Sequence, residues 1–344
     1  MLLKMAFNGF NFKIKSIKKS LYTIFTNLKF FVMKNLLIFI VLSLGATFYG
    51  QSAKDYDKAV SRDYNMSVAD LDKIIDLNPN YSKAYNNRGY AKDELKDYIG
   101  AIADYTKAIE IDPNYSLAYS NRGSSKYALN DYKGATADHT KSIELDPNCS
   151  LAYSNRGTSM VKLNDYKGSL KDLTKAIEID PGYARAYYNR AGSKYTLKDY
   201  KGAVADYTKA IEINPNYSKA YNNRGYAKDD LKDYKGAIAD YTKAIEITPE
   251  FSNAYYNRGV SKAILTDYVG AMADFSKAIE INPNYLKAYY NRGVMEFKLG
   301  QKENACVDWA KAGELGYPQA ERLIKKNCNK SIPAINEIVG IEWK

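Results

Sequence analysis

Residues 82–115 read SKAYNNRGYAKDELKDYIGAIADYTKAIEIDPNY, and variants of this stretch fill most of the 344-residue chain. Its proline is the clearest mark: Pro79, Pro113, Pro147, Pro181, Pro215, Pro249 and Pro283 stand 34 residues apart. A fixed period of this length means a stacked repeat, in which no unit buries its own apolar face and each leans on its neighbours. Within the stretch, Ala84, Tyr85, Gly89 and Leu95 recur at helical spacing and predict a first helix over about Ser82–Lys96. Asp97 is a natural N-cap for a second helix, Tyr98–Ile111, with an inner face of Ala101, Tyr105, Ala108 and Ile109. Pro113 stops that helix.

A 34-residue helix–turn–helix with its aromatic, glycine, alanine, aromatic, alanine and proline at Tyr85, Gly89, Ala101, Tyr105, Ala108 and Pro113 resembles the tetratricopeptide repeat. Later units start at Ser116, Ser150, Ala184, Ser218, Ser252 and Leu286. Two departures are Ala191, where the glycine has moved to Gly192, and Ser142 in place of the second alanine. A degraded first unit from about Ala53 keeps a second helix marked by Ser67, Leu71 and Ile74. The unit from Leu286 ends in Trp309 and Ala312, and an amphipathic helix over Gln319–Asn327 is expected to cover the last apolar face. The resemblance implies an all-α fold: a right-handed α-solenoid of about eight units over 52–328, with a C-terminal capping helix (319–328) and a short tail, 329–344. Cys306 and Cys328 flank Tyr317 symmetrically, so two antiparallel helices hinged there would bring them opposite one another. A bridge is permitted in an exported protein and would stabilise by roughly 3 kcal/mol; two buried thiols are the alternative.

The formal charge is +11, from Lys+Arg 50 against Asp+Glu 39. Residues 1–51 hold seven lysines and no acid, which leaves 11 − 7 = +4 for the rest. In the repeats Lys alternates with Asp and Glu along helix faces, so no basic stripe for nucleic acid survives. Leu36–Leu44 is a short apolar run preceded by Lys34, the form of a secretory signal rather than a membrane span. The expectation is a basic leader plus signal over 1–51, a true start at Met33, and export to the periplasm, cell envelope or medium. A membrane attachment follows only if the segment stays uncleaved. With three cysteines, one histidine (His139) and no metal-ligand spacing, no metal, cofactor or catalytic set is expected. Once signal and repeats are assigned, the remaining tail is too short for an active site, and an enzyme is not expected.

Comparison of units inside this one chain separates framework from groove. Most of the 33 tyrosines fall at repeated places and read as packing. Arg88 and Asp104, sixteen residues apart, recur in every later unit through Arg292 and Asp308, and predict an ion pair within each hairpin. On the first helix the places of Lys83, Asn86, Asn87, Tyr90 and Asp93 share one broad face, which in tetratricopeptide arrays lines the concave groove. Four of the five vary. The fifth is always asparagine: Asn87, Asn121, Asn155, Asn189, Asn223, Asn257 and Asn291. An amide can donate to and accept from a peptide backbone whatever its sequence. With Tyr90, Tyr188, Tyr226, Tyr256 and Tyr290 the ladder forms a candidate peptide-binding face. A purely structural role for the asparagines, pinning the scaffold, stays open. No unit carries lysine at the Asn86 place or arginine at the Asn87 place, so the chaperone-type carboxylate clamp of the family is not expected. The function expected is a scaffold that binds a protein or extended peptide, with glycan binding on the tyrosines as the alternative.

Overall fold

The computed structural model describes residues 66–328; the leader, the signal segment, residues 53–65 of the first unit and the tail lie outside the described residues. Every regular element among the described residues is a helix. The described residues divide into two compact units, with the boundary between Ala91 and Lys92.

In the first unit, α1 (Val68–Leu77) is capped by Ser67, whose side chain accepts from the Asp70 amide. Ser67 is therefore a cap and not a packing residue. The buried pair is Leu71 and Ile75, one turn apart, where the sequence pattern pointed to Ile74. The second helix, α2 (Ser82–Glu94), begins in this unit, and its Arg88 reaches Asp72 at 2.7 Å.

The second unit continues with α3 (Tyr98–Ile111) and then alternates first and second helices of the repeat. These are α4 (Ser116–Ala128), α5 (Tyr132–Leu145), α6 (Ser150–Lys162), α7 (Tyr166–Ile179), α8 (Ala184–Thr196) and α9 (Tyr200–Ile213). There follow α10 (Ser218–Asp230), α11 (Tyr234–Ile247), α12 (Ser252–Ile264), α13 (Tyr268–Ile281), α14 (Leu286–Lys298), α15 (Lys302–Glu314) and α16 (Pro318–Asn327). First helices of successive units approach one another more closely than second helices do, so within this unit the first helices line the inside of the solenoid.

Each hairpin turn is written in the same chemistry. First helices end two residues earlier than the apolar pattern suggests, because Lys96, Asn130, Asn164, Lys198, Lys232 and Thr266 sit at φ 62–66°, in the left-handed region. Among the described residues glycine takes the positive φ at Gly300, between α14 and α15, and at Gly316, between α15 and α16. The next residue, an aspartate in six hairpins, caps the second helix by accepting from the amide of the glycine three positions on, as Asp233 does from Gly236. A Cβ at Gly236 would lie 2.1 Å from Asp233 Oδ2, so cap and glycine require each other. Where the cap is lost, at Gln301, the glycine is lost too, and Asn304 stands in its place.

The core is made of alanines with no exposure and one larger side chain in each unit from Ser82 on, a ring in every case except Leu173. Tyr241 packs so closely on α10 that a Cβ at Gly225 would meet it at 2.8 Å. The sixteen-residue ion pair is present in six units, from Arg122–Asp138 to Arg292–Asp308, at 2.6–2.7 Å. It does more than close a hairpin. Nη1 of each arginine also donates to a hydroxyl on the second helix of the preceding unit, as Arg224 does to Thr208 at 3.0 Å. The guanidinium lies over the tyrosine one turn earlier, Tyr221 for Arg224, at 5.4 Å. In most units a lysine joins the same aspartate, as Lys228 joins Asp240 at 2.8 Å. That lysine is replaced by Met160 in one unit and by Glu296 in the last. Glu296 is buried with Oε2 unpartnered, and burial, then the neighbouring Asp308, push its carboxyl up to about 7 against the pull of Arg292. At the C-terminal end Cys306 and Cys328 lie with sulfurs 2.01 Å apart and Cα atoms 5.8 Å apart, closing α16 onto α15. Proline at the first turn starts α16.

Candidate functional site

The asparagine ladder lies along the inner face, and its donors are already committed. Nδ2 of Asn155 points to Ser124 Oγ at 3.4 Å, and that of Asn189 to Thr158 Oγ1 at 3.0 Å. Asn223 donates to the Tyr188 hydroxyl at 2.9 Å, Asn257 to Asn222 Oδ1 at 3.1 Å, and Asn291 to the Tyr256 hydroxyl at 3.0 Å. In these five the partner is on the preceding first helix. Where the place of Tyr90 offers a short hydroxyl, Ser124 or Thr158, the asparagine takes it. Where that place holds Gly192, Tyr226 or Val260, it turns to the place of Asn86 instead. The ladder is thus a series of rungs between neighbouring first helices. In the first unit Asn87 accepts from Asn86 at 3.3 Å; Asn121 completes the series on α4. Oδ1 of Asn223 accepts from Asn222 at 3.0 Å. The Oδ1 atoms of Asn155, Asn189, Asn257 and Asn291 take no bond from any described residue, so this face presents acceptors.

The tyrosines of the face divide in two. Tyr188 and Tyr256 use their hydroxyls as rung partners, with rings against Tyr217 at 4.8 Å and Tyr285 at 4.9 Å. Burial raises the pKa of both phenols. Tyr290 packs edge-on against Tyr317 at 4.9 Å beside the capping helix. Tyr226, in contrast, is 49% exposed and Tyr90 36%. Tyr195 donates to Asp230 and stacks near Tyr226.

Asp229, at the place of Asp93 on the inner face, gains its partners in three dimensions. The Tyr241 hydroxyl donates to it at 2.6 Å from its own unit, and Ser261 Oγ at 2.8 Å from the next. Asp93 repeats the arrangement with Tyr105 at 2.8 Å and Ser125 at 2.8 Å. The sequence held a signal for this: these are the two aspartates at that place, and both have Tyr twelve and Ser thirty-two residues further on. Desolvation raises the pKa of both carboxyls, although the hydroxyls pull the other way.

Asp229 opens onto a cleft of about 630 Å³ between α10, α12 and the start of α14. Asn222, Asn253, Asn257, Tyr226, Tyr256 and Val260 line it, with the turn 282–287 closing one side. The structure thus brings Tyr226, Tyr256 and Asn257 together at one cleft. A second cleft, of about 640 Å³, touches Arg156 and Lys175, but these cations are engaged by Asp172 and Glu178. Among the described residues no cluster of His, Cys, Asp and Glu could hold a metal ion, and no helix is long and apolar enough to cross a membrane.

A model of the tetratricopeptide repeat matches residues 82–115, 184–217 and 218–251, and a second model of that repeat matches 151–183 and 252–285. The chain is a tetratricopeptide repeat protein. Its structure is similar to a tetratricopeptide repeat protein from Parabacteroides merdae (20% identity, 72% of this chain and 99% of that one, TM-score 0.54). It is also similar to Pseudomonas aeruginosa pilF (17% identity, 64% and 97%, TM-score 0.55). Identities this low speak for the shared fold alone. No curated protein matches this tetratricopeptide chain in sequence. A tetratricopeptide array is a scaffold for protein–protein interaction, and that much extends to this protein.

Proposed function

We propose that the inner face of the first helices holds an extended segment of a partner protein, and that the chain acts as a non-enzymatic scaffold in assembling a complex of the cell envelope. The observation that carries this is the row of unengaged Asn Oδ1 acceptors on Asn155, Asn189, Asn257 and Asn291, one per unit, beside the exposed ring of Tyr226. An extended backbone offers N–H groups along its whole length and meets such a row without regard to its side chains. The variable places, Tyr90 and Asn86 and their equivalents, then set selectivity.

The test is selection from a displayed library of random dodecapeptides on the full chain, followed by affinity measurement with the Asn155→Ala, Asn189→Ala, Asn257→Ala triple variant. Each hydrogen bond is worth about 0.5–1.5 kcal/mol, so the triple variant is expected to weaken a selected peptide at least about tenfold with helicity intact. Unchanged affinity sinks the reading. Binding of envelope polysaccharide in the absence of protein would favour the glycan alternative on Tyr188, Tyr195, Tyr256, Tyr290 and Phe297.

Export rests on the segment before residue 52 and on the Cys306–Cys328 bridge, which suits an oxidising compartment. Thiol counting on the denatured protein should find one free thiol, that of Cys149. Three free thiols would remove this support.

A further inference from the structure

Asp229, like Asp93, differs from the stapled aspartates of the array in having hydroxyl partners where they have cations. Asp240, one helix on, is held by Arg224 and Lys228, and the same staple recurs on Asp138, Asp206 and Asp274. Asp229 accepts only from two neutral hydroxyls, those of Tyr241 and Ser261. A carboxylate half-withdrawn from water and held by neutral donors keeps its full charge uncompensated. It lies at the wall of the cleft and not behind it.

The rest of the cleft points the same way. Asn257 spends Nδ2 on Asn222 and presents its carbonyl oxygen. The Tyr256 hydroxyl already accepts from Asn291. Tyr226, Tyr256 and Tyr285 add aromatic lining, and of these Tyr226 is the exposed ring over which a cation can settle. Lys287 is the one cation among the lining residues, and it is exposed.

We propose that this cleft is a specificity pocket for a basic side chain, lysine or arginine, of the bound polypeptide, with Asp229 as its counter-charge and the Asn257 carbonyl oxygen as a second acceptor. The inference rests on the groove reading above and adds the class of residue the groove selects. The Tyr241–Asp229–Ser261 set fixes the carboxylate before the partner arrives, so little ordering is required on binding.

The experiment runs the dodecapeptide selection on the full chain in parallel with Asp229→Asn, an isostere that can still accept from Tyr241 or Ser261. Wild-type protein is expected to enrich peptides with Lys or Arg at one fixed position, and Asp229→Asn to lose that enrichment. A selected peptide resynthesised with norleucine for its lysine is expected to bind wild type about tenfold more weakly and to bind Asp229→Asn unchanged. The norleucine comparison on wild type stands even if the variant is destabilised. If wild type enriches peptides with no basic position, or if norleucine leaves its affinity unchanged, the pocket assignment falls while the groove reading stands. If neither protein enriches any peptide, both fall.

Discussion

The unit 116–149 and the unit 218–251 share their backbone, their Arg–Asp staple and their turn chemistry, yet fill the same ring site in opposite ways. In the second, Tyr241 is buried with its hydroxyl on Asp229. In the first, His139 takes the place of that ring, equally buried and as tight on its glycine, with Nδ1 unpartnered. The place of Asp229 is Tyr127 there, so no acceptor waits. The site accepts tyrosine, histidine and, at Leu173, an aliphatic side chain, provided the space is filled; what changes is whether a polar atom carried there is satisfied. Shape is set by the framework, and the polar ledger is settled unit by unit.

That contrast can be broken or sharpened by substitution. The largest effects should fall where the two units agree. Asp138→Ala and Asp240→Ala each leave an arginine nearly buried and unpaired, and each should destabilise by about 3 kcal/mol in urea unfolding. A large difference between them would mean that the units are not equivalent in their framework.

Intermediate effects should fall where they differ, and with opposite signs. Tyr241→Phe leaves the Asp229 carboxylate with Ser261 alone and should cost about 1–2 kcal/mol, whereas His139→Phe removes an orphaned polar atom and should stabilise by about 1 kcal/mol. The pH dependence divides the units as well. Desolvation lowers the His139 pKa to about 4, so in the folded state it binds its proton later than the unfolded histidine near 6.5. Its contribution is present above 6.5 and lost as pH falls from 6.5 towards 4. Asp229 has the reverse sign: its folded pKa is raised, so acidification through it towards 3.8 adds stability. His139→Phe should flatten the melting temperature between pH 6.5 and 4, and an unchanged slope would assign the acid sensitivity elsewhere.

The smallest effect concerns the turns. Lys232 and Asn130 both sit at positive φ, 64° and 65°, but asparagine occupies that region at a lower cost than lysine. Lys232→Gly should stabilise by about 1 kcal/mol and Asn130→Gly by only a few tenths. Equal gains would show that strain at this place is relieved by the hairpin and not by the side chain.

The period and the helix pairs were legible because every unit repeats the same bonds. Prolines, alanines, aspartate caps and the Arg–Asp pairs at sixteen residues recur with fixed partners, so comparing units finds them. The rungs were harder. The seven asparagines are conspicuous, but their acceptors change between Ser124, Thr158, Tyr188, Asn222 and Tyr256, and no spacing reveals which of two places is used. The reach of each arginine to the preceding unit's hydroxyl was hidden for a simpler reason: the sequence was compared place by place, while this bond joins different places of adjacent units. The early end of each first helix was missed because lysine and threonine do not advertise a left-handed residue as glycine does.

The arginine that grips its own aspartate and its predecessor's threonine has a further consequence. One 34-residue copy carries the arginine for the junction behind it and the threonine for the junction ahead. A tandem duplication of any interior unit therefore brings both halves of the new junction with it, and the array can lengthen without any compensating change. Sequence divergence then becomes free to act on the inner face, and a chain grown from one module can acquire a different reader at each step.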